Sequence, residues 1–251
     1  MNIIVAMKQV PDLQQVRIRN REPVIEGVPY TLGIIDKNAL EAGIQLKEAT
    51  GSNLIVVSAG NEEVEETIKE ALAAGADEAY LVLDDKLDGM ESSLTASLLA
   101  ATIKKIEEVG LVIFGEGSGD NYSGQVGSRV AEILDLPQVG YVSKIELDGT
   151  TAKITRSLED CEELLEVQLP MVVTVLGDIN EPRIPSVSQI LKAGRKPKEI
   201  LELDDLDIEI PKDKKISTLS NLAPETDRKR VAVKSVSDLI TALQAEGFVG
   251  R

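Results

Sequence analysis

The chain has 251 residues, 43% of them hydrophobic and only 2% aromatic, so it can bury a sizeable aliphatic core in one large domain, or in a domain with an arm. A formal net charge of −16 argues against nucleic acid, whose affinity rests on Lys and Arg neutralising phosphates. The chain has no His and a single Cys, Cys161, which excludes His-based acid–base chemistry, imidazole metal sites, an internal disulfide and Cys clusters for zinc or iron–sulfur.

Asn2 to Met7 reads as a fully buried first strand, and Lys8 to Asp12 as its exit loop. Lys8 interrupts the opening apolar run early and the other apolar runs are far short of a membrane span, so a cytoplasmic chain without leader or membrane insertion is expected. Val16 to Ile25 alternates apolar and charged residues, which suits a small hairpin. Asp36 is the expected N-cap of a helix to Thr50, closed by Gly51. Leu54 to Val57 is the second strand, followed by a tight turn at Ser58-Ala59-Gly60. Asn61 caps the next helix, whose buried face is Val64, Ile68, Ala71 and Leu72 and which Gly75 ends. Ala79 to Leu83 is a third strand, and a helix runs from Ser92 or Ser93 to about Glu107.

The stretch from Leu111 to Leu134 is the richest in signal. A strand, Leu111 to Phe114, and a helix with Val126, Val130, Ile133 and Leu134 on one face enclose a loop rich in Gly, Ser, Asp and Asn. Gly115, Gly117, Gly119 and Gly124 allow close approach of backbone to a ligand, and the helix N-terminus beyond them offers free N–H groups suited to phosphate. Asp120 and Tyr122 stand where a third glycine would complete Gly-x-Gly-x-x-Gly, so the loop reads equally as an ordinary flexible connection.

Four strand–helix alternations imply a mainly parallel, doubly wound α/β sheet. After Pro137, Asp148-Gly149 marks a hairpin between Val139–Leu147 and Thr151–Thr155, and Leu164–Leu169 and Met171–Leu176 extend the sheet. Pro182, Pro185 and Pro197 break up the segment 177–198, which holds one short helix at Ile190, Leu191 and Ala193. Lys192, Arg195, Lys196 and Lys198 form a basic cluster there, read either as solvated loop or as partner contact. Residues 1–198 are expected to form the α/β domain. Residues 199–251 read as an extended arm ending in a helix capped by Ser237, suited to clasping another subunit.

Four stretches of this sequence, in order, resemble the β subunit of electron transfer flavoproteins over essentially its full length. They are Val5-Ala6-Met7-Lys8-Gln9-Val10-Pro11-Asp12; Asp36-Lys37-Asn38-Ala39-Leu40-Glu41 with Leu46-Lys47-Glu48; Glu66-Thr67-Ile68 with Ala71-Leu72-Ala73-Ala74-Gly75-Ala76-Asp77; and Asn180-Glu181-Pro182-Arg183 with Ile190-Leu191-Lys192-Ala193. Gly115 to Asp120, Gln125-Val126-Gly127 and Asp178-Ile179-Asn180 look most like the FixA branch, associated with anaerobic acyl-CoA or carnitine metabolism and nitrogen fixation.

The resemblance implies a Rossmann-like fold of the adenine nucleotide alpha hydrolase type and a heterodimer with an α subunit that carries FAD on a mobile domain. It implies a second nucleotide in this chain, AMP in simple members or FAD in electron-bifurcating ones. By motif position that nucleotide touches Ala6, Gly33, Ile34, Ile35, Asp36, Ala59 and the loop Gly115, Glu116, Gly117, Ser118, Gly119, Asp120, Asn121, Tyr122, Ser123, Gly124, Gln125 and Val126. Partner dehydrogenases are expected on Asn180, Glu181, Pro182, Arg183, Val187, Ile190 and Leu191, with Val187 as apolar anchor and Lys192, Arg195 and Lys196 at its rim. Glu163 aligns with an acidic residue that holds the mobile flavin domain, or is one of several surface carboxylates. With FAD here, the pair would take hydride from NADH and split the electrons between an acyl-CoA dehydrogenase or reductase and ferredoxin or flavodoxin. With AMP it is a simple shuttle. A non-redox adenine-nucleotide-binding module and a purely structural partner are the other readings.

Overall fold

The computed structural model describes residues 1–208, 210, 216–225 and 228–249, so parts of the expected arm, residues 209, 211–215, 226, 227, 250 and 251, lie outside the described residues. The chain forms two compact units, one of residues 1–16 and 25–219, the other of residues 17–24 and 220–251.

The first unit is built on a nine-stranded sheet. In chain order its elements are β1 (Asn2–Ala6), β2 (Gln9–Pro11) and, past β3 (Arg17–Arg19) and β4 (Glu22–Val24) of the second unit, β5 (Tyr30–Leu32), α1 (Ile34–Thr50), β6 (Asn53–Gly60), α2 (Val64–Ala74), β7 (Glu78–Leu83), α3 (Ser92–Lys104), β8 (Val109–Gly115) and α4 (Val126–Leu134). There follow β9 (Gln138–Asp148), β10 (Thr151–Ser157), β11 (Glu162–Gln168), β12 (Met171–Val175), α5 (Val187–Ala193) and β13 (Lys198–Leu201). The strand order is β11-β10-β9-β12-β8-β1-β6-β7-β13. From β9 to β13 every neighbouring pair is parallel, while β10 and β11 add an antiparallel meander at one edge. β2 and β5 form a separate antiparallel pair.

Each central strand is apolar on both faces because helices cover both. Ile3, Val5, Leu54, Val56, Leu111 and Ile113 pack with Leu40 and Ile44 of α1 and Ile68 and Leu72 of α2. Their neighbours in sequence, Ile4, Ala6, Ile55, Val57, Val112 and Phe114, pack with Ala96, Leu99 and Ile103 of α3 and Val130 and Ala131 of α4. This is the doubly wound arrangement expected from the alternation of elements.

Several local expectations change. Asp36 is not the N-cap of α1; Gly33 is, and Asp36 lies buried in the first turn. Ser58 to Gly60 continue β6 rather than turning. Glu63 precedes α2, and Asn61 accepts a hydrogen bond from its N–H in a local turn. Residues 199–201 are not arm but, with Lys198, form the edge strand β13, paired with β7 by backbone hydrogen bonds that an apolar pattern alone does not reveal.

In the second unit β3 and β4 form the expected hairpin, and Arg21 donates through Nε to the Ala223 carbonyl at 2.8 Å. Its helix α6 (Val236–Ala245) is capped by Ser235, whose hydroxyl accepts from Asp238 N–H, and not by Ser237.

Gly43 sets how closely α1 can approach the sheet. A Cβ there would lie 2.8 Å from Leu54 Cδ1 and 2.9 Å from Val5 Cγ2, both inside the core. Gly43→Val is expected to lower the unfolding free energy by about 2 kcal/mol through overpacking, read as a reduced urea midpoint at unchanged slope.

Candidate functional site

The order in which successive parallel strands are added reverses about β1. Strands β6 and β7 lie to one side and β8, β12 and β9 to the other, so the loops leaving β1 and β8 diverge and open a crevice at their carboxyl ends. The expected nucleotide residues converge on this place. Ala6 ends β1, Ala59 lies near the end of β6, Gly115 ends β8, and Gly33 to Asp36 open α1.

Asp36 ties these pieces together. Its Oδ2 accepts from Lys8 N–H at 2.7 Å, in the loop leaving β1. The N–H of Gly115 also bonds this carboxyl, and a Cβ on Gly115 would lie 2.7 Å from Asp36 Oδ1, so only glycine lets β8 come this close. Gly33 N–H donates to the Lys8 carbonyl at 3.1 Å, and Ser58 Oγ to the Met7 carbonyl at 2.7 Å, pinning the β1 exit to α1 and β6. Burial pushes the Asp36 carboxyl up to about 7, although the Lys8 hydrogen bond and charge oppose the shift; the nearby Asp120 adds to it.

Beyond Gly115 the loop folds on itself. Tyr122 N–H donates to the Ser118 carbonyl at 3.0 Å, and Lys8 Nζ meets Asp120 Oδ2 at 2.5 Å. Partial burial raises the Asp120 carboxyl, but hydrogen bonds from Lys8 and Ser118 outweigh it and hold the group below its ordinary value. The Tyr122 hydroxyl donates to Glu116, which pushes the phenol up to about 12. Gln125 Oε1 is engaged by Arg129 Nη2 at 2.9 Å, which ties the loop end to α4. Neither α1 nor α4 has a side-chain cap at its N-terminus, so first-turn N–H groups remain free for a polar or anionic ligand.

The expected docking residues lie on a second structure fastened to α1. Asn38 Nδ2 donates to the Asn180 carbonyl at 2.7 Å, and Asn180 Nδ2 returns a bond to the Asn38 carbonyl at 3.0 Å. Arg183 grips Glu41 with Nε at 2.8 Å and Nη2 at 3.0 Å, and reaches Glu48 with Nη1 at 2.7 Å. Glu41 is buried, which by itself raises its carboxyl, but the Arg183 hydrogen bonds hold it below the ordinary range. A capping box between Ser186 and Gln189 starts α5. Ala193 enters the core against α2, while Val187, Leu191 and Ile184 project outward, 75%, 75% and 93% exposed, and Ile190 is exposed too. Glu181 and Pro182 precede them on the same segment.

The expected basic rim needs revision. Lys196 turns inward and donates to the carbonyls of Leu72, at 2.8 Å, and Ala76, at the C-terminal end of α2. Lys198 pairs with Glu65. Lys192 and Arg195 remain outward. Glu163 is not free on the surface, since Arg156 Nη2 holds it at 2.6 Å across the β10–β11 ladder.

Two features escaped sequence reading. One is the Glu41–Arg183–Glu48 clamp, for which the spacing of Glu41 and Glu48 at two helical turns was the available signal. The other is a cleft of about 410 Å³ bordered by Glu116, Tyr122, Gln138, Tyr141, Arg156 and Thr174. Its far wall comes from the meander, which sequence alone could not place beside the loop.

Residues 24–206 match the electron transfer flavoprotein domain. The chain belongs to the electron transfer flavoprotein β-subunit family. It is 41% identical over 212 residues to an electron transfer flavoprotein subunit beta of Thermoanaerobacterium thermosaccharolyticum, covering 83% of this chain and 81% of that one. The Bacillus subtilis subunit beta is 37% identical over 257 residues, 99% of this chain and all of the relative. Caffeyl-CoA reductase-Etf complex subunit CarD of Acetobacterium woodii is 40% identical over 209 residues, 82% of this chain and 80% of its own length. Among the described residues no group of His, Cys, Asp and Glu is placed to hold a metal ion, and no helix is long and apolar enough to cross a membrane.

Two outcomes are expected. A carboxyl whose folded value is raised binds its proton more tightly folded than unfolded. The stability it supports is therefore complete below about 4 and is lost as pH rises towards about 7. Relative to Asp36→Asn, the wild type should lose roughly 2–3 kcal/mol between pH 5 and 8, measured by denaturant titration at each pH. Arg183→Ala strands the buried Glu41 and should lower stability by about 2 kcal/mol, with part recovered by adding Glu41→Gln.

Proposed function

We propose that this chain is the nucleotide-holding subunit of a heterodimer that passes electrons between NADH or a dehydrogenase and an acyl-CoA dehydrogenase or reductase. The observation that carries the reading is the junction of Ala6, Gly33–Asp36, Ala59 and Gly115 at the sheet's switch point, in a chain of this family. The uncapped first turns of α1 and α4 fit the phosphate of an adenylate, a moiety that AMP and FAD share. Ala6, Ile34, Ile35, Asp36 and Ala59 would bound the base and ribose, and residues 115–126 the phosphates.

Bound FAD would supply hydride acceptance and one-electron transfer, and bound AMP would supply structure only. The chain's own contribution is positional. Asp36 fixes the exit loops of β1 and β8, Lys8 and Asp120 fold the glycine-rich loop over the crevice, and α1 links this crevice to the outward docking segment. The relative named as part of a caffeyl-CoA reductase complex supports a CoA-thioester reductase as electron acceptor. The α subunit carries the other flavin, and ferredoxin or flavodoxin would receive the second electron of a bifurcating pair.

Co-expression with the neighbouring α subunit, purification and counting of released nucleotides tests this. Two FAD and no AMP per heterodimer support bifurcation; one FAD and one AMP support a simple shuttle; no nucleotide beyond one FAD would overturn the reading of the crevice. For the docking segment, Val187→Glu should slow electron transfer to the dehydrogenase about tenfold at unchanged nucleotide content, because a charge replaces an apolar anchor. Equal rates for variant and wild type would remove the docking role.

A further inference from the structure

The two loops whose divergence opens the crevice are joined again at their tips. Between Gly115 and Gly124 the glycine-rich loop folds on itself. Tyr122 N–H donates to the Ser118 carbonyl at 3.0 Å, Ser118 Oγ donates to Asn121 Oδ1 at 3.2 Å, and the Tyr122 hydroxyl donates to Glu116. These internal bonds let the loop move as one piece, and Gly124, with φ of 63°, supplies a hinge at its far end.

Residues 12–15, which follow β2, face this loop from a rigid base. Asp12 N–H donates to the Pro29 carbonyl at 2.8 Å, and its carboxylate accepts from Gln14 N–H at 3.1 Å and Gln15 Nε2 at 2.8 Å. β2 itself pairs with β5, Val10 is buried, and Gln9 Nε2 donates to Thr67 Oγ1 of α2 at 2.7 Å. At the tip of this turn Leu13 is 45% exposed and projects outward rather than into the core. It rests on the glycine-rich loop. A Cβ on Gly119 would lie 2.9 Å from Leu13 Cδ1, so the leucine fills the space that the missing side chain leaves. At the next residue of the loop, Lys8 Nζ meets Asp120 Oδ2 at 2.5 Å. Both contacts bridge the exits of β1 and β8. Both are partly exposed to water, and a half-exposed apolar contact with a screened ion pair makes a closure weak enough to open readily.

We infer that residues 12–15 are a latch: Leu13 seated on Gly119, beside Lys8 on Asp120, holds the glycine-rich loop across the mouth of the crevice, and an adenylate enters or leaves when the loop swings off Leu13. The inference rests on the nucleotide reading of the crevice. A gate sets the barriers to entry and release together, whereas a ligand contact acts mainly on release. Leu13 lies outside the residues assigned to the ligand, so truncating it separates the two roles.

The test is AMP exchange in the full chain. Equilibrium dialysis gives the dissociation constant, displacement of radiolabelled AMP by excess unlabelled AMP gives the release rate, and their quotient gives the association rate. Leu13→Ala should raise both rates about fivefold at an unchanged dissociation constant, and Leu13→Met, which keeps the apolar contact, should exchange AMP like the wild type. Without ligand, hydrogen–deuterium exchange at residues 117–122 should be faster in Leu13→Ala than in the wild type, and a cooperative urea transition checks that the variant is folded. Equal release rates in Leu13→Ala and wild type, or faster release at unchanged association, overturn the latch and leave the crevice reading in place. Absence of AMP binding to the wild type removes the crevice reading and the latch with it.

Discussion

A carboxylate buried among three loop ends is the constraint on which the candidate site depends. Asp36 lies at the start of α1, takes the N–H of Lys8 from the exit of β1, and sits so close to Gly115 that the end of β8 can carry no side chain. Parallel strands place their carboxyl ends together but leave their loops free to diverge. A hydrogen-bonded group at the point of divergence turns that freedom into one crevice of fixed shape. The arrangement has an energetic consequence, because an ionised carboxylate is disfavoured in a buried setting and Asp36 titrates near neutrality. Sites that hold ligands commonly keep such strained groups.

Helix α1 carries this order across the molecule. Its first turn borders the crevice, its middle holds Asn180 through Asn38, and Glu41 and Glu48 grip Arg183. The segment from Asn180 to Ala193 therefore presents exposed Ile184, Val187 and Leu191 from a rigid base rather than from a loose loop. A small transient interface gains from such preorganisation, since less side-chain and loop freedom is lost on binding. The inward turn of Lys196 and the pairing of Lys198 leave a rim with fewer free cations than the sequence suggested, so the proposed docking would rest more on apolar contact.

Much of the sheet was legible because its signals are local. Runs such as Ile3 to Val5 and Leu111 to Phe114, separated by helices with an apolar face, require a parallel layer covered on both sides. What was missed depends on contacts distant in sequence. Asp36 read as a cap because Asp commonly caps helices, but the approach of β8 draws it inward. Residues 199–201 read as arm because their place in the sheet comes from pairing with β7, not from their own pattern. The residues of the crevice were named through family resemblance, and the structure gathers their loops at the carboxyl end of the central strands. The clamp on Arg183 and the cleft bordered by Tyr122 and Tyr141 needed three-dimensional proximity across 135 and 19 positions of sequence, respectively, and no periodicity records that.

Hydrogen–deuterium exchange of the full chain with and without AMP tests the central claim most directly. The account predicts slowed exchange at the N–H groups of residues 34–36 and 115–126, and unchanged exchange in the meander from residue 144 to 168. Exchange unaltered in both loops at saturating AMP, or protection confined to the meander, would contradict it.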